Sequence, residues 1–193
     1  QAGRKVVEQS TRAQLQGEKV AAADRIFSIF EPHTELLKRG KARRPVEFGH
    51  MVTIAQTREK FISFYDVQEK SLHDSELKDV VLQSHKDTFG EFPRRFTADK
   101  NYYAGMSDIE NWEEQIDVVA IGKKGRRNSE ELAREHSDIF RDLQRFRAGV
   151  EGTISVLKRA FGLRRCRFKG FNGFASAIGC MVLCHNLVLM SRL

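Results

Sequence analysis

The sequence contains only three cysteines, Cys166, Cys180 and Cys184, so they cannot all pair with one another. Cys180 and Cys184 lie one helical turn apart within an apolar stretch. This spacing indicates small hydrophobic residues in a reducing compartment rather than a disulfide framework. A zinc site would need further ligands close to them, which makes a structural zinc ion the less favoured interpretation.

The sequence also lacks an uninterrupted apolar run long enough to cross a bilayer. The longest run, 174–190, is broken by Ser176, His185 and Asn186, whereas a membrane helix needs about 20 predominantly apolar residues. We therefore predict a mostly buried helix at 172–192 and no membrane partner. The chain begins Gln1-Ala2-Gly3, without Met or a signal-peptide pattern, and we expect its start to be a truncation.

The 193 residues are enough for one domain with a sizeable core, and 40% hydrophobic with 31% charged residues is ordinary for a soluble protein. No internal repeat or low-complexity tract is visible. Residues 1–22 are polar and are interpreted as a lead-in segment, and 23–193 as the domain itself.

The excess positive charge is confined to one part of the chain. Residues 123–169 contain 14 Lys or Arg and 6 Asp or Glu, whereas the rest contains 19 and 20, and the formal net charge is +7. Such a segment is either a solvated basic surface or a surface for phosphate backbones, because neutralising phosphates releases counterions and gives sequence-independent affinity.

Hydrophobic periodicity and turn residues predict a mixed α/β fold with helices on the faces of a sheet. The predicted strands are 25–30, 46–56, 61–67, 94–98 and 116–122, the second and third forming a hairpin. The predicted helices are 74–90, capped by Asp74; 107–115, with a Ser107–Glu110 capping box; 128–161, with an Asn128–Glu131 box; and 172–192. The long helix has a predicted core stripe of Ile139, Leu143, Phe146, Val150, Ile154, Leu157 and Phe161.

Asp99 directly follows the predicted strand 94–98, in FTADKNYY. The carboxyl ends of strands are where α/β folds usually place ligands. An aspartate that only starts a turn is the alternative interpretation.

Glu151 lies beside the stripe of the long helix, with Arg147 four residues before it and Lys158 seven residues after it. These offsets place the three side chains along one line of a helix. An exposed Arg–Glu pair of little energetic value is the alternative, but the R-x3-E-x6-K spacing at the border of a core stripe favours a functional role.

Arg147, Glu151 and Lys158 match part of the Y-x2-R-x3-E-x6-K signature of insertion-sequence transposases, with Gln144 in the place of the tyrosine. Longer segments resemble DDE transposases of the group left unclassified among insertion sequences, from about residue 17 to the end. These segments are SIFEPHTELLKRGK (28–41), EFGHMV (47–52), DSEL (74–77), FTADKNYY (96–103), RFRAGVEGTISVLKRAFGLRRCRFKGF (145–171) and CHNLVLM (184–190). In the Asp99 segment, Lys-Asn stands where relatives usually have glycine.

This resemblance implies a ribonuclease-H-like mixed sheet flanked by helices, incomplete at its N-terminus. It implies that Asp99 and Glu151 are the second and third acidic ligands of two Mg²⁺ ions, with Mn²⁺ as a substitute, since these metals favour carboxylate oxygens. It also implies DNA contacts, which we assign to Arg147, Lys158, Arg159 and the basic loop residues Lys123, Lys124, Arg126 and Arg127.

The first acidic ligand has no clear counterpart in this sequence. Asp24 lies upstream of the predicted hairpin, but relatives do not use that place for catalysis, and Asp66 and Asp74 are weaker substitutes. We expect the first ligand to precede Gln1, so that this chain alone is inactive.

The resemblance thus predicts a transposase that cleaves DNA and transfers strands at transposon ends into target DNA. It predicts a homo-oligomer in the active complex and a bacterial cytoplasmic protein, associated with the nucleoid when bound to DNA. A non-catalytic basic DNA-binding module, or domesticated remnant, is the alternative, and an unrelated metal nuclease with the same fold is a third. His33 and His50 are further residues that could approach DNA.

Overall fold

The computed structural model describes residues 2–21, 24–38, 46–69 and 74–193, without the side chains of Asp74 and Ser75. The chain is mixed α/β, as predicted. The strands are β1 (Glu35–Lys38), β2 (Val46–Gly49), β3 (Val52–Gln56), β4 (Ile62–Val67), β5 (Arg95–Thr97) and β6 (Val118–Ala120). The α-helices are α1 (Ala2–Ser10), α2 (Asp74–Phe89), α3 (Met106–Glu113), α4 (Ser129–His136), α5 (Asp138–Ala160) and α6 (Gly170–Met190).

Over the described ranges the strands form three separate pairs instead of one continuous sheet. β1 and β2 are antiparallel, β3 pairs with β4 across the predicted hairpin, and β5 and β6 are parallel. In the parallel pair, Phe96 lies opposite Val119 and Thr97 opposite Ala120. The side of this pair that follows Thr97 and Ala120 carries the candidate site.

The chain divides into two compact units. The first unit contains Gln1–Val52, Val67–Ser71 and Cys166–Ile178. The second unit contains Thr53–Asp66, Leu72–Arg165 and Gly179–Leu193. Every residue of the candidate catalytic centre described below belongs to the second unit.

Two apolar clusters form the core of the second unit. The first surrounds β6 and contains Leu82, Ile109, Ile116, Val119 and Ile121, each at most 1% exposed. The second consists of Ile62 from β4, Leu157 from α5 and Val182 from α6. β6 belongs to the first cluster and α5 contributes to the second. Because both elements are tightly packed, the side chains at the carboxyl end of the parallel pair are held in fixed positions.

Two predictions for the N-terminal half were wrong. Residues 25–30 form no strand, and Phe30 is exposed; the strand instead lies at Glu35–Lys38, where β2 supplies backbone partners. The predicted strand 46–56 is divided into β2 and β3, since Gly49 has a φ of 151° that L-residues rarely adopt.

The helix predictions were right in position but wrong in several details. α2 ends before Gly90 as predicted, while the Asp74 cap lies outside the described side chains. α3 begins after Gly105 without a side-chain cap, so the Ser107–Glu110 box is not formed. The predicted long helix is two helices, because Ser137 has a ψ of 148° and caps α5 through the Phe140 amide.

The Asn128–Glu131 capping box at the start of α4 is confirmed, since each side chain accepts a hydrogen bond from the other residue's backbone N–H. The predicted core stripe of α5 was partly wrong. Ile139 is exposed, whereas Phe140, Thr153 and Leu157 are the buried residues of this helix. Ile139 lies in the first turn of α5, next to the Ser137 cap, where the helix starts.

α6 is a helix as predicted, but it is less buried than predicted. Among the described helices it alone has the length and hydropathy to cross a membrane, with 22% of its most apolar window buried. Cys180, Leu183, Cys184 and Leu187 are exposed. Asn186 of this helix nevertheless exchanges two 2.9 Å hydrogen bonds with the backbone of Ile62, in the second unit.

Candidate catalytic centre

Asp99 lies two residues beyond the end of β5, and its two carboxylate oxygens have different partners. Oδ1 accepts a 3.0 Å hydrogen bond from the backbone N–H of Asn101 and caps a short 3₁₀ turn, Lys100–Tyr102. Oδ2 accepts a 3.0 Å hydrogen bond from Nη1 of Arg147. Asp99 therefore starts a turn and also faces α5.

Arg147 connects the two carboxylates singled out by the sequence. Its Nη1 lies 3.0 Å from Asp99 Oδ2 and its Nη2 lies 3.1 Å from Glu151 Oε1. The Arg147 side chain is 25% exposed, that of Asp99 47% and that of Glu151 74%. The two carboxylates are therefore separated by no more than one guanidinium and its hydrogen bonds, and both remain open to solvent.

This arrangement has the donor chemistry of a divalent-cation site, because carboxylate oxygens are the ligands that Mg²⁺ and Mn²⁺ favour. The guanidinium supplies the positive charge between the two carboxylates in this structure. Within the described part of the chain, no group of three His, Cys, Asp or Glu residues is arranged to hold a metal. Asp99 and Glu151 supply the oxygen donors that two ligands of such a site would need.

Gln144, which stands in the place of the signature tyrosine, joins α5 to both parallel strands. Its Nε2 donates to Thr97 Oγ1 at 3.1 Å and to the carbonyl oxygen of Ala120 at 2.8 Å. Thr97 Oγ1 donates to the same carbonyl at 2.9 Å. Since Thr97 is two residues before Asp99 and Gln144 three before Arg147, this network fixes the register between α5 and the end of β5.

Lys158 and Arg159 lie in the last turn of α5 and are exposed. Lys158 is seven residues beyond Glu151, about 10 Å along the helix and on nearly the same line. An extended ligand that reached the carboxylates along this line would also come within reach of Lys158.

The four cations of the basic loop divide into two pairs. Lys123 Nζ lies 2.7 Å from Glu131 Oε1, and Arg127 Nε lies 2.7 Å from Glu135 Oε2. These ion pairs attach the loop to α4. In contrast, the other two cations, Lys124 and Arg126, are exposed and have no ion pair among the described residues.

The pKa values of the paired groups shift in the direction that these contacts require. The hydrogen bond with Glu131 raises the pKa of Lys123, and the same contact, with the backbone N–H of Asn128, lowers the pKa of Glu131. Burial by itself would raise the pKa of Glu135, but Arg127 and the backbone N–H of Lys123 outweigh it, and the net shift is downward. Both glutamates are therefore held ionised next to the loop.

A family model described as the transposase DDE domain matches residues 24–187, most of the chain and all of the residues above. The chain belongs to the transposase DDE domain family. Its general function is accordingly that of a DNA-acting transposase domain. No curated protein and no solved structure matches the chain.

Sequence reasoning missed a second polar cluster, which lies in the first unit. His33 Nδ1 and His50 Nε2 are 2.6 Å apart, and His33 Nε2 lies 2.7 Å from Glu31 Oε2. Glu31 Oε2 also accepts a 2.9 Å hydrogen bond from the backbone N–H of Gly170. His33 and His50 were singled out individually, but 17 residues separate them and no periodic pattern indicates that they touch.

Proposed function

We propose that this chain carries two of the acidic residues of a metal-dependent centre for DNA strand cleavage and strand transfer, on a ribonuclease-H-like fold. Asp99 and Glu151 would hold the divalent ions, and Arg147, Lys158 and Arg159 would contact DNA phosphates. The observation that carries the proposal is the bridge from one guanidinium to both carboxylates, across helix α5 and the end of β5.

The bridge suggests how the residues act in turn. Arg147 uses two of its N–H groups on the carboxylates, and a guanidinium can instead bind a phosphate through two parallel hydrogen bonds. An incoming DNA phosphate would compete for Arg147 and release Asp99 and Glu151 to hold Mg²⁺ or Mn²⁺. When bound, two such ions activate the attacking hydroxyl or water and stabilise the leaving oxygen.

Arg147 and Lys158 would also offset the negative charge of the bound phosphates, because preorganised cations stabilise charge where it develops. Transposon ends and target DNA are the proposed substrates, in a homo-oligomeric complex in the bacterial cytoplasm. The Lys124 and Arg126 side chains would extend the phosphate contacts beyond the centre.

A non-catalytic DNA-binding module is the second candidate. It is favoured by the same bridge, since the Arg147 guanidinium already hydrogen-bonds both carboxylates and offsets one of their two charges without a metal. The two candidates differ in whether Asp99 and Glu151 bind a divalent ion.

The deciding measurement is Mn²⁺ binding by the whole chain, followed by electron paramagnetic resonance, with and without duplex DNA. We expect Asp99→Asn and Glu151→Gln to weaken Mn²⁺ binding at least tenfold, and DNA to strengthen binding in the unmodified chain. Asp142→Asn is the matched control, because Asp142 is also an exposed α5 carboxylate paired with an arginine, at 2.8 Å from Arg145.

Mn²⁺ binding that falls in Asp99→Asn and Glu151→Gln but is kept in Asp142→Asn supports the catalytic proposal. Mn²⁺ binding that is the same in all three variants and the unmodified chain contradicts it and leaves the DNA-binding module.

A further inference from the structure

A cavity of about 490 Å³ lies beside the Asp99–Glu151 centre, in the second unit. It is bounded by Lys100, which follows Asp99, by Gly122, which lies beyond the end of β6, and by one line of α5. On α5 the lining residues include Arg141, Gln144 and Arg145. The cavity therefore lies at the carboxyl end of the parallel strands, where α/β folds bind ligands.

The lining is predominantly cationic. Lys100, Arg141 and Arg145 are exposed cations, and Glu135 is the only acidic residue that lines the cavity. Glu135 is already engaged, since it accepts hydrogen bonds from Arg127 at 2.7 Å and from the backbone N–H of Lys123 at 2.8 Å. Arg145 is also paired, with Asp142 at 2.8 Å. The cations Lys100, Arg141 and Arg145 still outnumber the carboxylates Glu135 and Asp142, and a net positive charge favours an anion.

The side chain of Lys100 packs against Gly122. A Cβ atom on Gly122 would lie 3.4 Å from Cε and 3.6 Å from Cγ of Lys100. The lysine stem therefore lies across the glycine, between the end of β6 and α5. A larger residue at position 122 would displace Lys100 without altering the charge of the cavity.

We propose that this cavity binds a backbone phosphate of the DNA strand that enters the Asp99–Glu151 centre. The inference rests on the proposed function, and it adds Lys100, Arg141 and Arg145 as phosphate contacts next to the centre. Its adjacency supports the assignment: Lys100 is one residue from Asp99, and Ala148, which also lines the cavity, is one residue from Arg147. We therefore expect a DNA strand that reaches the carboxylates to pass the opening of the cavity.

The test measures the salt dependence of binding of the whole chain to a short fluorescent duplex and to its single strand, by anisotropy. Each of Lys100→Gln, Arg141→Gln and Arg145→Gln is expected to reduce the slope of log K against log salt by about 0.9 for duplex and about 0.7 for single strands, the loss of one phosphate contact. Gly122→Leu keeps every charge but displaces Lys100, and we expect it to lower the affinity for both the duplex and the single strand.

Arg94→Gln and Arg95→Gln are the matched controls, because both arginines are exposed and lie at the other end of β5. They are expected to leave the slope closer to that of the unmodified chain. Equal losses in the control and cavity variants would overturn the proposal and assign the effect to general surface charge.

Inorganic phosphate, added as a competitor at constant ionic strength, separates DNA phosphate from a free anion. If inorganic phosphate binds and the cavity variants abolish that binding while the DNA slope is unchanged, the cavity holds a free anion and the proposal is wrong. Absence of Mn²⁺ binding in the unmodified chain would refute the proposed catalytic centre while the salt slopes still report on the cavity.

Discussion

The side-chain amide of Gln144 donates a 2.8 Å hydrogen bond to the backbone carbonyl of Ala120, which is completely buried at the end of β6. This contact joins α5 to the strand pair close to the candidate catalytic centre. Gln144→Met preserves the approximate length of the side chain but removes both donors. We expect a loss of about 1–2 kcal/mol in the free energy of unfolding, because a buried acceptor loses one partner.

Urea unfolding measures this loss, and Gln83→Met is the control. Gln83 is an exposed glutamine of α2 whose amide donates to Asp87 at 2.8 Å, so its removal should cost much less. Equal changes in the two variants would show that Gln144 does not fix α5 to the strands.

Lys78 is a fully buried cation of α2 whose Nζ donates to Asp108 Oδ2 of α3, with Asp79 Oδ1 at 3.5 Å. Removing one partner of a buried ion pair leaves an uncompensated charge and costs about 3–5 kcal/mol. The side chain of Asp108 is 29% exposed and can be solvated, whereas Lys78 cannot. We therefore expect Asp108→Ala to destabilise the chain more than Lys78→Met in urea unfolding, and the opposite order would disprove this explanation.

The division within the basic loop predicts two separable effects. Replacing Lys124 and Arg126 with Gln should weaken DNA binding and lower its salt slope with almost no change in melting temperature. Replacing Lys123 and Arg127 should also lower the melting temperature, since Glu131 and Glu135 lose their partners. Calorimetry and anisotropy on the two double variants measure both effects, and identical melting temperatures would contradict the division.

The lowered pKa of His50 predicts how the free energy of unfolding depends on pH. Burial lowers the pKa of His50 below its ordinary value of 6.5, with the charge of His33 as the second cause; Gln68, Glu35 and Glu69 act in the opposite direction. Below pH 6.5 the unfolded chain therefore binds a proton that the folded chain does not bind until lower pH. The contribution of His50 to the free energy of unfolding is therefore complete above pH 6.5 and is lost as the pH falls below 6.5.

Urea unfolding above and below pH 6.5 measures this loss, and His50→Gln should reduce it. Burial also lowers the pKa of His85, so His85→Gln should reduce the loss in the same direction and the double variant should reduce it further. The exposed His136 provides the control substitution. An unchanged pH dependence in His50→Gln would mean that the histidine is not desolvated by folding.

Local pattern was sufficient to predict the elements that surround the centre. α2, β5, β6 and the Asn128–Glu131 capping box follow from features within a few neighbouring residues, namely caps, glycine stops and short apolar runs. The fixed offset of Arg147 and Glu151 likewise follows from helical geometry. These predictions depended on no contact between distant parts of the chain.

The errors occurred where distant contacts or a single backbone angle determine the structure. β1 forms at Glu35–Lys38 because β2 pairs with it, and an apolar composition alone did not distinguish it from residues 25–30. The break at Ser137 depends on one extended ψ angle, which the continuous apolar periodicity of the sequence does not reveal. Gln144 was noted only as a departure from a signature, although its contacts lie 24 and 47 residues away.

The separate partners of the two Asp99 oxygens make asparagine an unusually informative replacement at this position. Its amide oxygen can still accept from the Asn101 N–H and preserve the turn, while its amide nitrogen places a donor opposite the donors of Arg147. Asp99→Asn therefore removes charge while retaining local conformation, whereas Asp99→Ala removes both. Comparison of these two variants separates the electrostatic role of this side chain from its role in shaping the backbone.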